Sequence, residues 1–383
     1  MAGRRGRAGS YVAQPEGFRA FSPRPLPPVP PLDVDARLLN LLSRADRNLG
    51  GLNGATETLP NPDLFVFMYV RKEAVLSSQI EGTQSSLLDL LEYEAGAPRS
   101  SHPRDVVEVS NYVDAMNHGL DQIKQGRPFS VDLLREIHAR LLRRGRGSAH
   151  RPGEFRSVQN WIGPPGRGIR GAVFIPPSVP EMRRALADLE RFIVKDKSLP
   201  PLLKAGLAHC QFETIHPFLD GNGRMGRLLV TFLLTMEGFL DRPLLYLSHY
   251  FRENRAAYYE TLQAVRDRGD WEGWLEFFLT GVDLVSRQAT ETARRIVRLR
   301  EEHRRSIQER LGRRAGNGLS LLEHMYRHPM VSVNDVGRVT GLTFPSASAL
   351  VAGLGELGLL KEQTGQKRYR LYSYQPYLDI LLD

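Results

Sequence analysis

Twelve consecutive residues between two apolar helical runs constrain this chain more than any other part of it. The runs cover 202–214 and 224–237, and the segment between and into them reads His216-Pro217-Phe218-Leu219-Asp220-Gly221-Asn222-Gly223-Arg224-Met225-Gly226-Arg227. Gly221-Asn222-Gly223 frees the backbone to turn its N–H groups toward one point, an anion-binding nest. The helix that follows brings its positive end to the same point. Arg224 and Arg227 are three apart and so neighbours on one helix face, and two guanidiniums over a nest suit a polyphosphate. Asp220, just before the nest, offers oxygen ligands for Mg²⁺ against the phosphates. His216 has an ordinary pKa suited to taking a proton near neutral pH. Singly, each part has a plainer reading: a core histidine, a helix-connecting turn, a solvated arginine pair. Together they describe a base, a metal ligand and a phosphate cradle on one loop.

The rest of the chain supports a mainly α protein of two or three packed units, the prior for 383 residues. Residues 1–32 are rich in Pro, Gly and Arg without apolar periodicity and read as a mobile or extended lead-in, of the kind that also drapes over domain surfaces. The helical region 33–110 follows, with a helix over about 62–91 marked by Val70, Val75, Leu76, Ile80, Leu87, Leu88 and Leu91. A core spans 111–280 and an Arg-rich connecting helix 281–315. Within the core, 153–177 is poor in helix signals, and Val173-Phe174-Ile175 reads as a strand or hairpin stopped by Pro176-Pro177. No run approaches the ~20 apolar residues of a membrane-spanning helix. The basic start is followed by Pro-rich rather than apolar sequence, so no secretory signal is expected. The single cysteine, Cys210, excludes an intrachain disulfide and a Cys-based zinc site and fits a reducing cytoplasm; it reads as a core thiol. His209, seven residues before His216, lacks a third partner for a metal site.

The twelve-residue segment resembles the Fic signature, His-x-Phe-x-Asp/Glu-Gly-Asn-Gly-Arg-x-x-Arg, at every defined position. The resemblance implies an all-helical Fic core that binds ATP and moves AMP onto a Ser, Thr or Tyr hydroxyl of a target protein. It implies His216 as general base, Asp220 as the Mg²⁺ ligand, and Gly221, Asn222 and Gly223 on the α- and β-phosphates. Arg224 and Arg227 then take the outer phosphates, with Gly226 counted in the nucleotide site and Phe218 as a core anchor. Ser77-Ser78-Gln79-Ile80-Glu81-Gly82 resembles the family's inhibitory motif, Ser/Thr-x-x-x-Glu-Gly/Asn, with Ser77 and Glu81 on one helix face. By that resemblance Glu81 pairs with Arg227 and displaces the γ-phosphate. Gly82, costly inside a helix by about 1 kcal/mol, points to close backbone contact or a helix end. Arg151 to Arg156 and Asn160 to Gly163 look similar to the segment before the family's flap, which makes Val173, Phe174 and Ile175 the flap that pairs with a target strand. Tyr258 and Tyr259 match an aromatic pair near the adenine pocket. Related enzymes also remove AMP or transfer UMP or phosphate, and Fic cores often pair as homodimers; the donor, the target and pairing are not legible here.

Residues 316–383 carry helix, helix, a turn at Gly341, helix and two strands, the order of a winged helix-turn-helix. The rival reading is therefore a DNA-binding regulator with the Fic core secondary. The would-be recognition helix from Phe344 to Leu357 has no Arg or Lys to read bases, whereas Lys361, Lys367, Arg368 and Arg370 on the hairpin suit phosphates. Weak duplex binding and protein docking both remain open. The net charge of +9 does not decide it: ten arginines against four glutamates between Arg287 and Arg314 give that one segment +6.

Overall fold

Two helices buried on nearly every side have to be surrounded by others, and they form the centre of the computed structural model. The structure describes residues 6–57, 62–96, 103–164, 166–366 and 368–382. The central pair are α7 (Pro201–Ile215) and α8 (Asn222–Met236), with every residue from Leu202 to Ile215 buried. Ahead of them run α1 (Ala36–Glu57), α2 (Pro62–Ile80), α3 (Leu87–Glu94), α4 (Pro103–Lys124), α5 (Val131–Leu141) and α6 (Val179–Lys195). After them come α9 (Ser248–Glu253), α10 (Arg255–Arg268) and α11 (Trp271–Arg310), a 40-residue helix packed along α1 and across α7. Trp274 of α11 is fully buried and donates its indole N–H to the Gly206 carbonyl at 2.8 Å, which locks α11 to α7. Among the described residues no helix is long and apolar enough to cross a membrane.

Three expectations need correction. The helix expected over about 62–91 is two helices: α2 stops at Ile80, and Gly82 at φ +95 turns the chain before Ser86 caps α3 through a capping box with Asp89. A Cβ at Gly82 would meet nothing within 4 Å, so the glycine marks a helix end rather than a close contact. The strand expected at 173–175 is a single β-bridge between Ile162 and Phe174. The Pro/Arg-rich lead-in is neither loose nor merely extended. Residues Gly9–Ala13 (β1) and Arg19–Pro23 (β2) pair as an antiparallel hairpin. Arg7 is buried against Glu272 of α11 at 3.0 Å, and Phe21 N–H donates to the Ile175 carbonyl at 2.9 Å.

The chain continues through a short 3₁₀ turn, Gly312–Arg314, into α12 (Ala315–Met325). Then follow β3 (Met330–Ser332), α13 (Val333–Thr340), α14 (Phe344–Glu356), β4 (Leu360–Glu362), β5 (Leu371–Tyr374) and α15 (Gln375–Leu382). Ser332 caps α13 through a capping box with Asp335, and Gly341 (φ 70) ends it, producing the turn into α14. The three strands form an antiparallel sheet in the order β3-β5-β4, so one strand, β3, and the closing helix α15 go beyond the sequence reading. α15 returns to the first half of the molecule: Lys72 of α2 donates to the Leu381 carbonyl at 2.8 Å. Of the expected basic hairpin positions, Lys367 lies outside the described residues.

Candidate active site

The loop between α7 and α8 is shaped by side chains that spend their hydrogen bonds on its backbone. His216 caps α7 in the left-handed region (φ 50, ψ 60), a conformation that costs a non-glycine residue about 1–2 kcal/mol. Its N–H donates to the Phe212 carbonyl at 2.9 Å, and its own carbonyl accepts from Arg156 Nε at 3.1 Å and Asn160 Nδ2 at 3.2 Å. The Asn222 amide accepts from Phe218 N–H and donates to the Phe218 carbonyl, both at 2.8 Å. Phe218 is fully buried, its ring stacked on His138 of α5 at 3.7 Å. His138 Nδ1 accepts from Gly153 N–H at 2.9 Å, which places the imidazole proton on Nε2, where it donates to the Asp220 carbonyl at 3.0 Å. Burial pushes His138 down to about 4, so it stays neutral in this role.

Charge converges on the amino end of α8. Arg224 is 4% exposed, and its Nε and Nη1 have no hydrogen-bond partner. The nearest carboxylates to it, Glu108 at 3.5 Å and Asp220 at 3.8 Å, stand too far for strong pairing. Buried guanidinium donors left without acceptors are costly unless a ligand completes them. Arg227 is engaged instead: Nε donates to Ser77 Oγ at 2.7 Å, and Nη2 to the Ser77 carbonyl at 3.0 Å and to Glu81 Oε1 at 2.7 Å. Burial alone would raise the Glu81 carboxyl, but the charge and hydrogen bond of Arg227 hold it below the usual carboxylate range. The Glu81 carboxylate lies against Gly223, where a Cβ would sit 2.2 Å from Oε1. It therefore covers the first turn of α8, beside the helix end that attracts anions.

His216 Nδ1 is buried without a hydrogen-bond partner. Burial, aided by the charges of Arg266 and Arg156, pushes its imidazole down to about 4, against the pull of the Glu213 backbone carbonyl and Glu81. The ring is thus neutral, the form that accepts a proton. Asp220 is partly exposed at the loop's outer edge, with Oδ1 accepting from Gly221 N–H at 2.6 Å and His150 Nδ1 3.6 Å from Oδ2. Among the described residues no cluster of three or more His, Cys, Asp or Glu is arranged to hold a metal. A single accessible carboxylate is the donor set of an ion that Mg²⁺-dependent enzymes share with substrate phosphates.

Five residues sit differently from the sequence reading. Gly226 faces the interior rather than the nucleotide side: a Cβ there would be 2.2 Å from Glu213 Oε1, and its carbonyl accepts from His209 Nδ1–H at 2.8 Å. Tyr258 is buried, its hydroxyl bonded to His209 Nε2 at 2.9 Å, so it belongs to the core rather than an open base pocket. Tyr259 is 41% exposed on the rim. In the flap, Phe174 points inward while Val173 is 68% exposed, and Ile175 is tied to β2. His209 and Cys210 are fully buried, and burial pushes the Cys210 thiol up to about 12, in keeping with packed core residues. The sequence did not single out His138, Glu108 or Glu213, because each meets the loop only through the fold, and it read Arg156 and Asn160 only as part of the segment before the flap, not as partners of His216.

Comparison with known proteins adds family context. Residues 39–121 match the model of the Fic/DOC family N-terminal region, and residues 128–234 that of the Fic/DOC family. Protein adenylyltransferase fic-1 of Caenorhabditis briggsae is 29% identical over 156 residues, 40% of this chain and 27% of that protein. Protein adenylyltransferase Fic of Nematostella vectensis is 28% identical over 210 residues, 52% of this chain and 44% of its own. The similarity to these curated relatives thus spans less than half of their length. A crystallised Fic family protein from Desulfovibrio desulfuricans superposes with a TM-score of 0.59 at 22% identity, covering 90% of this chain and 97% of its own, a likeness of fold.

Proposed function

This chain belongs to the Fic/DOC family, and from that premise we propose that it transfers AMP from ATP to a Ser, Thr or Tyr hydroxyl of a target protein. One observation carries the reading: Arg224 holds two buried guanidinium nitrogens without acceptors in the first turn of α8, next to the loop that bears a neutral His216 whose Nδ1 has no hydrogen-bond partner. Such an arrangement suits a polyphosphate on one side and a proton donor on the other. The incoming hydroxyl oxygen bonds to the α-phosphorus, the bond from that phosphorus to pyrophosphate breaks, and the hydroxyl proton passes to His216. In this reading the N–H groups of Asn222 and Gly223 and the guanidinium of Arg224 face the charge that develops on the phosphate oxygens, while the Gly221 N–H holds Asp220 Oδ1. Asp220 is the residue to hold Mg²⁺, which when bound neutralises phosphate charge. Val173 offers the exposed flap edge for an extended target segment.

Glu81 and Ser77 form the brake in this reading. Arg227 cannot serve an outer phosphate while it makes three hydrogen bonds to Ser77 and Glu81. Nucleotide bound beside an engaged Glu81 is held out of line for attack. The test uses ATP labelled at the α- or the γ-phosphate with Mg²⁺, comparing wild type with Glu81→Gly. Self-modification should carry the α label only and should be well above wild type in the variant. Incorporation of the γ label would make the protein a phosphotransferase, and equal rates in the two proteins would remove the brake.

A further inference from the structure

Arg156 is 1% exposed, and among the described residues no carboxylate pairs with its guanidinium. A buried cation without a counter-charge is among the costlier features a fold can keep. Every hydrogen bond it makes goes to main chain: Nε to the His216 carbonyl at 3.1 Å, Nη1 to the Val158 carbonyl at 3.2 Å, and Nη2 to the Pro177 carbonyl. Its own N–H adds a bond to the Pro217 carbonyl at 2.9 Å. Val158 and Pro177 bracket the flap, whose Ile162–Phe174 bridge lies between them. One side chain therefore joins both ends of the flap to the residue expected to act as base. A second buried guanidinium, on α10, meets both the flap and the end of α7. Arg266 of α10 lies 3.8 Å from the Phe174 ring centre and donates to the Glu213 carbonyl and to Thr214 Oγ1, each at 3.2 Å.

We propose that Arg156 is a positioning residue that fastens the target-docking flap to the His216 loop, so that a hydroxyl presented on the flap arrives in register with the imidazole. This rests on the transfer reading above. Each of the three carbonyls is met by a different guanidinium nitrogen, which suits the rigid five-donor fork of arginine and not the point charge of lysine. The charge acts as well. His216 faces Arg156 from the flap segment, Arg266 from α10, Glu81 from the turn after α2, and the Glu213 carbonyl from α7. Of these, the two guanidiniums favour the neutral ring and the other two oppose it. Removing Arg156 removes one of the two.

The experiment places Arg156→Met and Arg156→Lys in the full-length Glu81→Gly protein. His216 is titrated by NMR, and self-modification is followed against pH and ATP concentration. In Arg156→Met the imidazole should titrate at higher pH than in the parent, and the acid limb of the rate profile should move up with it. The kcat should fall about tenfold to a hundredfold, the scale of a misplaced reacting group, while KM for ATP changes by less than about twofold. Arg156→Lys should restore the titration but not kcat. Two results would overturn the proposal: kcat within about twofold of the parent in Arg156→Met, or full recovery of kcat by lysine, which would make charge alone sufficient. If Arg156→Met does not fold, the lysine variant still decides between fork and charge. A parent that transfers nothing would refute the transfer reading instead, and the titration would still report whether Arg156 bears on His216.

Discussion

At Gly226 a single methyl group would collide with a carboxylate. The 2.2 Å approach of an added Cβ to Glu213 Oε1 means that Gly226→Ala should lose about 1–3 kcal/mol in urea unfolding. Most of that loss should disappear in a Glu213→Ala background, because the oxygen it strikes is gone; additive losses would mean that Glu213 is not what the glycine accommodates. Glu213 also carries a pH signature. Burial, helped by the nearby Glu81 charge, raises its carboxyl to about 7 against the pull of Arg227 and Arg266. A raised folded pKa means the native carboxyl keeps a proton that the unfolded chain has already released. Wild type should therefore lose stability relative to Glu213→Gln as pH rises from about 4.5 to about 7, with a flat difference on either side. A difference that grows as pH falls would reverse the sign and refute the assignment. The loop's residues could be picked out in sequence because they are contiguous. His138 was not, since it reaches the Asp220 carbonyl across 82 positions and reads locally as one more buried residue of a helix.

The two elements that differ most from expectation are the segments that flank the site. Apolar residues continue at helical spacing through Leu87, Leu88 and Leu91, so periodicity alone ran α2 into α3; the positive φ of Gly82 is what breaks them. That break leaves Glu81 in the turn after α2, its N–H on the Ser78 carbonyl at 3.1 Å and its carboxylate on Arg227. In residues 1–32 the prolines and glycines hid a hairpin, because β1 and β2 are ordered by contacts with residues more than a hundred positions away. Phe21 is 1% exposed and packs on Tyr11 and Phe174, with ring centres 5.1 and 6.0 Å apart. Phe21→Ala should cost about 3–5 kcal/mol if the arm unfolds with the core. Hydrogen exchange at Phe174, whose N–H donates to the Ile162 carbonyl at 3.1 Å, should quicken with it. Unchanged exchange there would show that the hairpin does not brace the flap.

Over the whole molecule, the C-terminal module rests on the helix that leads to Glu81. Lys72 reaches the Leu381 carbonyl, and Phe67 and His328 meet edge to face with ring centres 5.6 Å apart. Both contacts lie on α2, whose far end carries Ser77 just ahead of Glu81. Removing residues 315–383 should loosen α2 and raise self-modification above that of the intact wild type; no change would make the module an independent passenger. The exposed part of α14 offers Phe344, Ser346 and Ser348 and no cation, and the module's basic residues Lys361, Arg368 and Arg370 lie on the hairpin instead. The helical order of this module was legible from sequence, whereas its seat against α2 was not, because that contact joins residues 309 apart.

We propose that the neutral imidazole of His216 and the guanidinium-lined end of α8 together transfer a nucleotide. The most direct measurement is the intact mass of Glu81→Gly and of Glu81→Gly/His216→Ala after incubation with Mg²⁺ and each nucleoside triphosphate in turn. The first protein should gain the mass of AMP from ATP, and the second should gain nothing. An equal gain in the protein without His216, or a gain matching a single phosphate, would contradict it.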